Sequence, residues 1–195
     1  WGWLVLGLAL HRSGNSTGAA TAAFEKGLQV MNAPERGRLF AFERLMNRQD
    51  SIASVAQAAT RADRERSYWN FLDPLWSRKT DDPRSEFLAR VVFAEIRWTA
   101  DEMGKRGADT DRGEMHIRFG PPNTIIAKPV SGGTLTWWDY NNGLAVVFRG
   151  NLSYGTSYFP ASDKALIAEI VDARPASFDN IVSERILEIP TQLAP

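Results

Sequence analysis

The 195-residue chain contains no cysteine and only two histidines, His11 and His116. Without cysteine there are no disulfides, no thiolate nucleophile and no thiolate metal ligands, and two histidines are too few for a zinc site of ordinary composition. An excess of one charge is missing too: 23 basic and 23 acidic residues leave a net charge of zero. A nucleic-acid-binding face needs a basic excess, so no nucleic-acid partner is expected. Long hydrophobic runs are also absent. The apolar stretch 1–10 is about half of the ~20 residues that a spanning helix requires, and nothing else comes closer. Glycine-rich phosphate cradles are missing as well, because Ser131-Gly132-Gly133 stands alone, without the lysine and following helix of a nucleotide site. No cofactor is expected.

What is present describes an ordinary folded chain. An apolar fraction of 44% and a charged fraction of 24% are those of a globular protein long enough to bury a real core. Seven tryptophans are many, and tryptophan concentrates in cores and at interfaces.

The first segment reads as a helical hairpin. Trp3, Leu6, Gly7 and Leu10 precede the breaker Gly14. Ala19, Ala20, Ala23, Phe24, Gly27 and Leu28 follow at helical spacing, with Pro34 beyond. The pattern resembles one tetratricopeptide repeat, with one extra residue in the second helix and Gly27 where alanine is usual. A single repeat cannot bury its own face, so it must lean on other helices or on a partner. The stretch 34–70 is expected to be helical and charged, with Leu39, Phe40, Phe42, Leu45 and Met46 as apolar contacts. Its cluster 61–66 is expected to be a solvated face with local ion pairs.

Pro74 disfavours helix at Asp73 and marks a boundary. A helix over 84–103 follows, with Phe87, Val91, Ala94 and Trp98 on its core face and Gly104 closing it. Next come Gly107-Ala108-Asp109-Thr110-Asp111-Arg112-Gly113-Glu114, the alternating run Met115-His116-Ile117-Arg118-Phe119, and Gly120-Pro121-Pro122. The alternation predicts a short strand carrying Met115, Ile117 and Phe119 on one face and Glu114, His116 and Arg118 on the other. Gly113 is expected to supply a positive φ for a tight turn, and the two prolines end the strand. Runs 135–140 and 144–149, joined by Asn141-Asn142-Gly143, predict a hairpin. A further strand is expected within 154–159. A helix is expected from Ser162 to about 173, ended by Pro175, with a terminal strand or arm at 186–189.

The segment 71–160 resembles the GWxTD domain family. The likeness rests on Asp73-Pro74, the link 80–83, the long helix, the turn Gly107, Thr110, Asp111, Arg112 and Gly113, the Gly120-Pro121-Pro122 turn and the tryptophan-tyrosine strand. Ala108 stands where the family has tryptophan. The family has no established activity. Its members are often preceded by signal peptides and joined to tetratricopeptide repeats, so the resemblance implies an exported, periplasmic protein with a signal peptide upstream of Trp1. The family is frequent in bacterial phyla that include phototrophs, which brings a photosynthetic reaction-centre or light-harvesting assembly into view as a partner.

Asp109, Asp111 and Glu114 are the only tight carboxylate group beside a glycine turn. A calcium loop fails because Gly113 replaces the third ligand and Gly120 the late glutamate. Asp111 is expected to accept backbone hydrogen bonds within its own turn, and Arg112 to pair with a nearby carboxylate. His116 is expected to be half-exposed with no nucleophile beside it, and His11 to be a surface residue. Trp137 and Trp138 should face opposite ways on a strand, one buried and one exposed.

These readings predict an α+β fold, a helical repeat-like part (1–70) packed on a small, mostly antiparallel sheet domain (71–160), then a C-terminal helix and arm (161–195). No catalytic, cofactor-binding or metal-binding residue is expected. The expected function is a non-catalytic interaction or scaffold subunit, an accessory part of a larger membrane-associated complex, with Trp1, Trp3, Trp137 and Trp138 as candidate interface residues. The rival reading is an enzyme or metal-binding protein using Asp109, Asp111 and Glu114 with His116 and Arg118 over a cleft.

Overall fold

The computed structural model describes residues 1–14, 17–45, 63, 65, 66, 68, 69, 82–99, 104–130, 133–140, 145–150, 157 and 158. The chain divides into two compact units, Trp1–Phe93 and Ala94–Pro195. The fold is α+β, with helices leading and an antiparallel sheet following. The division falls at 93/94, inside a helix rather than near 70.

In the first unit, α1 (Gly2–Ser13) ends where Gly14 turns left-handed at φ 67°, its N–H donating to the His11 carbonyl. That conformation is cheap for glycine. α2 (Thr17–Val30) returns against it. Leu4 and Leu8 of α1 and Ala20, Ala23, Phe24 and Leu28 of α2 are buried. Two glycines set how closely the helices approach: a Cβ on Gly7 would lie 2.6 Å from the Phe24 ring, and one on Gly27 would lie 2.5 Å from Leu4. The glycine that stands for alanine in the repeat-like pattern therefore makes room for a leucine.

α3 (Ala33–Leu39) starts at Asn32, whose side chain accepts from the Glu35 amide at 2.9 Å, with Pro34 in the first turn. A 3-10 turn (Phe42–Leu45) follows. Phe42, Tyr68, Trp69 and Phe87 form a chain of aromatic contacts with ring centroids 5.3 to 5.6 Å apart between Phe42 and Tyr68, Tyr68 and Trp69, and Trp69 and Phe87. Such tilted and edge-on pairs add to plain area burial. α4 (Pro83–Trp98) opens on Asp82, whose carboxylate accepts from the Arg84 and Ser85 amides. Proline at the first helical position suits this start. Phe87, Val91 and Ala94 are buried as their spacing predicts.

In the second unit a 3-10 turn (Gly107–Asp109) leads into α5 (Asp111–Phe119). This corrects the expected strand. Thr110 caps the helix by accepting from the Gly113 amide at 3.0 Å, and Glu114 pairs with Arg118 at i,i+4 spacing. Both are helix-favouring contacts that five alternating residues do not reveal. Gly113 is helical rather than at positive φ. Gly120, at φ 80°, ends the helix and donates to the His116 carbonyl, so the Gly-Pro-Pro turn terminates a helix, not a strand.

The sheet is a meander in the order β1 (Thr124–Val130), β2 (Gly133–Asp139), β3 (Ala145–Gly150), β4 (Ser157–Tyr158), every pair antiparallel. Pro129 is tolerated because β1 lies at an edge. On one face Trp138 and Val146 pair, Thr136 and Phe148 pair, and Trp138, Val146 and Phe148 join Met115, Tyr140 and the half-buried Trp98 in one cluster. On the other face Leu135, Trp137 and Val147 are also buried. The expectations for 46–62, for 70–81, for the turn at 141–143, and for the C-terminal helix and arm at 161–195 lie outside the described residues.

Candidate functional site

The signature turn is built around Glu95. This buried carboxylate on α4 accepts from the Ala108 amide at 2.8 Å and from Arg106 Nε at 2.7 Å. Thr99 closes the same corner, donating to the Glu95 carbonyl and accepting from the Gly107 amide at 3.0 Å. Gly107 must be glycine, because a Cβ there would lie 2.0 Å from the Ala94 carbonyl oxygen. Gly113 must be glycine for the same kind of reason, with a Cβ 1.9 Å from the Gly107 carbonyl oxygen. Thr110 ties these two together: its hydroxyl donates to the Gly107 carbonyl at 2.7 Å and accepts from the Gly113 amide. Ala108, where the resembled family has tryptophan, is fully buried under this turn.

Glu114 and His116 of the rival, catalytic reading face different ways. Glu114 pairs with Arg118 Nε at 3.0 Å along the helix. His116 points to the opposite, core side, 4% exposed and edge-on to the Trp98 ring at 5.4 Å. This corrects the half-exposed histidine expected on a strand: the helical turn separates His116 from Glu114 by about 200°. Asp109 is exposed and Asp111 half-buried. The expected Arg112–carboxylate pair is also corrected: Arg112 Nη2 donates to Thr136 Oγ1 at 2.9 Å, and its guanidinium carbon lies 5.6 Å from the Phe148 ring centroid. Pro121 is exposed and Pro122 half-buried. Among the described residues no group of three or more His, Asp or Glu is placed to hold a metal ion.

Of the four candidate interface tryptophans, Trp1, at the N-cap of α1, and Trp3, on the helix, are 44% and 47% exposed, whereas Trp137 and Trp138 are 0% and 3% exposed. The expectation that one of the pair would be open fails because β2 is a central strand buried on both faces. Val5 and Leu6 are exposed beside Trp1 and Trp3, so α1 carries apolar residues well outside the face it buries on α2.

Two polar groupings in the first unit were not foreseen. His11, expected at the surface, is largely buried and its Nε2 lies 2.7 Å from Glu86 Oε2, while Arg90 Nε donates to Glu86 Oε1 at 2.5 Å. Burial alone would raise the Glu86 carboxyl, but the His11 hydrogen bond and Arg90 outweigh it and hold it at about 2. Arg84 is paired with Glu25 and Glu65. Burial works against its charge and the two carboxylates prevail, so its pKa is raised. Arg84, Glu65 and Arg36 join Trp69, Phe40 and Phe87 in lining a cleft of about 410 Å³. Glu65 thus leaves the solvated face expected for 61–66, while Arg66 and Asp63 keep an exposed pair there. The i,i+4 spacing of Glu86 and Arg90 was the one readable signal for either grouping.

No family model matches the chain, and no curated protein and no solved structure matches it. The likeness to the GWxTD family therefore rests on the residues that carry it.

Proposed function

We propose that this chain is a non-catalytic interaction subunit, an exported accessory component of a larger, membrane-associated protein complex. The carrying observation is α1 with its N-cap residue: Trp1 at the cap and Trp3, Val5 and Leu6 on the helix are each more than two-fifths exposed. Clustered exposed aromatic and aliphatic side chains on one helix are a costly surface in water and a good anchor for a partner. The signature turn adds support of a different kind. Gly107, Thr110 and Gly113 are accounted for by backbone packing and capping, which leaves them no need of a reaction. Among the described residues no helix is long and apolar enough to cross a membrane. Within this class, a photosynthetic reaction-centre or light-harvesting assembly is the complex that the family resemblance suggests.

The test is recovery of the tagged chain from its native membranes in mild detergent, as wild type and as the double variant Trp3→Glu, Leu6→Glu. Stoichiometric recovery of the wild type with an integral membrane assembly, lost in the variant while the circular dichroism is unchanged, is the expected result. Recovery of the wild type as a free monomer would overturn the reading.

A further inference from the structure

We propose that the cleft in the first unit is a binding site for a small organic monocarboxylate, its carboxylate taken by Arg36 and Arg84 and its aromatic or aliphatic body laid against Trp69 and Phe87. The site is distinct from the exposed apolar residues of α1 and does not depend on their docking role.

At about 410 Å³ the cleft is of the size of ligand sites, which run from about 300 to 1,000 Å³ and combine apolar walls with a few placed polar groups. Leu28 near the end of α2, Phe87 and Leu88 of α4, and Trp69 supply buried apolar lining. Across from them α3 contributes Ala33, Arg36 and Gly37, all exposed. The space at this wall is open: a Cβ on Gly37 would meet no atom within 4 Å.

Two guanidiniums stand on this lining, and each is held by hydrogen bonds that leave donors over. Arg36 Nη1 donates to the Leu28 carbonyl at 3.0 Å, one of the orphan acceptors in the last turn of α2. Arg36 has no carboxylate partner among the described residues. Arg84 gives Nη1 to Glu25 and Nε to Glu65. Its side chain is 29% exposed, and its Nη2 has no acceptor among the described residues. Guanidiniums fixed in this way offer their remaining N–H groups at little further entropic cost, and a carboxylate is the acceptor that their planar fork fits. Charge then selects the valence of the ligand. Arg36 and Arg84 against Glu65 leave a single positive charge on the lining, and Glu25, bound to Arg84, offsets it further. A monoanion fits this balance, whereas a phosphate dianion would put excess negative charge beside Glu65.

The experiment follows the Trp69 indole Nε1–H resonance of the full chain by NMR, since that group donates to Glu65 Oε1 at 3.3 Å on the cleft wall. Sodium phenylacetate, sodium hexanoate, the neutral amide of each and sodium phosphate are titrated separately at fixed ionic strength. The expected result is a saturable shift with phenylacetate or hexanoate, and the tighter of the two tells an aromatic ligand from an aliphatic one. Its neutral amide and phosphate should bind about tenfold more weakly or worse. Arg36→Gln, at an exposed position, should lower the affinity for that carboxylate by about tenfold with unchanged circular dichroism. The proposal would be overturned by the lack of a saturable shift with either carboxylate, by an amide or phosphate that binds as tightly, or by an Arg36→Gln chain that binds as the wild type does.

Discussion

Replacing Gly113 with alanine sets two principles against each other with opposite signs. Inside a helix, alanine in place of glycine ordinarily stabilises by about 1 kcal/mol. Here the added Cβ would lie 1.9 Å from the Gly107 carbonyl oxygen and 2.9 Å from its carbon, where ordinary contact begins at 3.4 Å. The oxygen must therefore retreat by about 1.5 Å. It is not free to do so. It accepts from the Thr110 hydroxyl at 2.7 Å, and Gly107 is itself pressed against the Ala94 carbonyl. Separating the turn from the helix would also loosen the Thr110 cap, a loss of about 1 kcal/mol, in addition to about 1–3 kcal/mol of overpacking strain. Set against the gain in helix propensity, Gly113→Ala should destabilise by about 1–3 kcal/mol, lowering Tm by roughly 2–4 °C per kcal/mol in a chain of this size. Gly37→Ala is the control: it is helical in α3 with nothing within 4 Å of the new Cβ, and it should gain up to about 1 kcal/mol. Urea unfolding followed by circular dichroism and tryptophan fluorescence reads both. If Gly113→Ala gained stability as the control does, the packing account of the signature turn would be refuted.

Glu95→Ala should cost about 3 kcal/mol, since it removes the carboxylate that accepts from the buried Ala108 amide and pairs with Arg106; a loss below 1 kcal/mol in the same unfolding assay would show that the corner does not depend on that carboxylate. Glu86 supplies a pH signature. Its native pKa of about 2 lies below the ordinary 4.5, so its stabilisation is complete above 4.5 and is lost as pH falls towards 2, by at most about 3 kcal/mol. Glu86→Gln should therefore be less stable than the wild type at pH 7 and converge with it near pH 2. A stability gap between the two that stayed constant over that range would contradict the His11–Glu86–Arg90 arrangement.

The parts of the fold that were legible in the sequence are those fixed by local pattern. The helical hairpin, the core face of α4 and the pairing of β2 with β3 follow from spacing, breaker glycines and the Asn-Gly turn. β1 went unnoticed because Lys128 and Pro129 spoil the look of a strand. An edge position tolerates both, but which strand is the edge depends on the whole sheet. The exposure of one tryptophan from the Trp137-Trp138 pair was inferred from alternation, which presumes a wet face. β2 lies between two neighbours and is buried on both sides, so that presumption fails. His11 and Glu86 are 75 residues apart, a distance over which no periodicity speaks.

The misreading of 115–119 as a strand shows why the candidate site was harder to read than the fold. Met115, Ile117 and Phe119 satisfy a period of two, yet Met115 and Ile117 are buried beside His116, while Phe119 is exposed. Over so few residues either period fits the letters. What decides is Thr110, which caps the helix, and Gly113, whose missing side chain lets the first turn rest on the Gly107 carbonyl. Read as a strand, the segment gathers Glu114, His116 and Arg118 into one polar face that resembles a reaction centre. Wound as a helix, it sends His116 into the core, pairs Glu114 with Arg118, and brings Arg112 against Thr136, with no acid to meet it among the described residues. A glycine-rich signature of this kind marks where backbones press together.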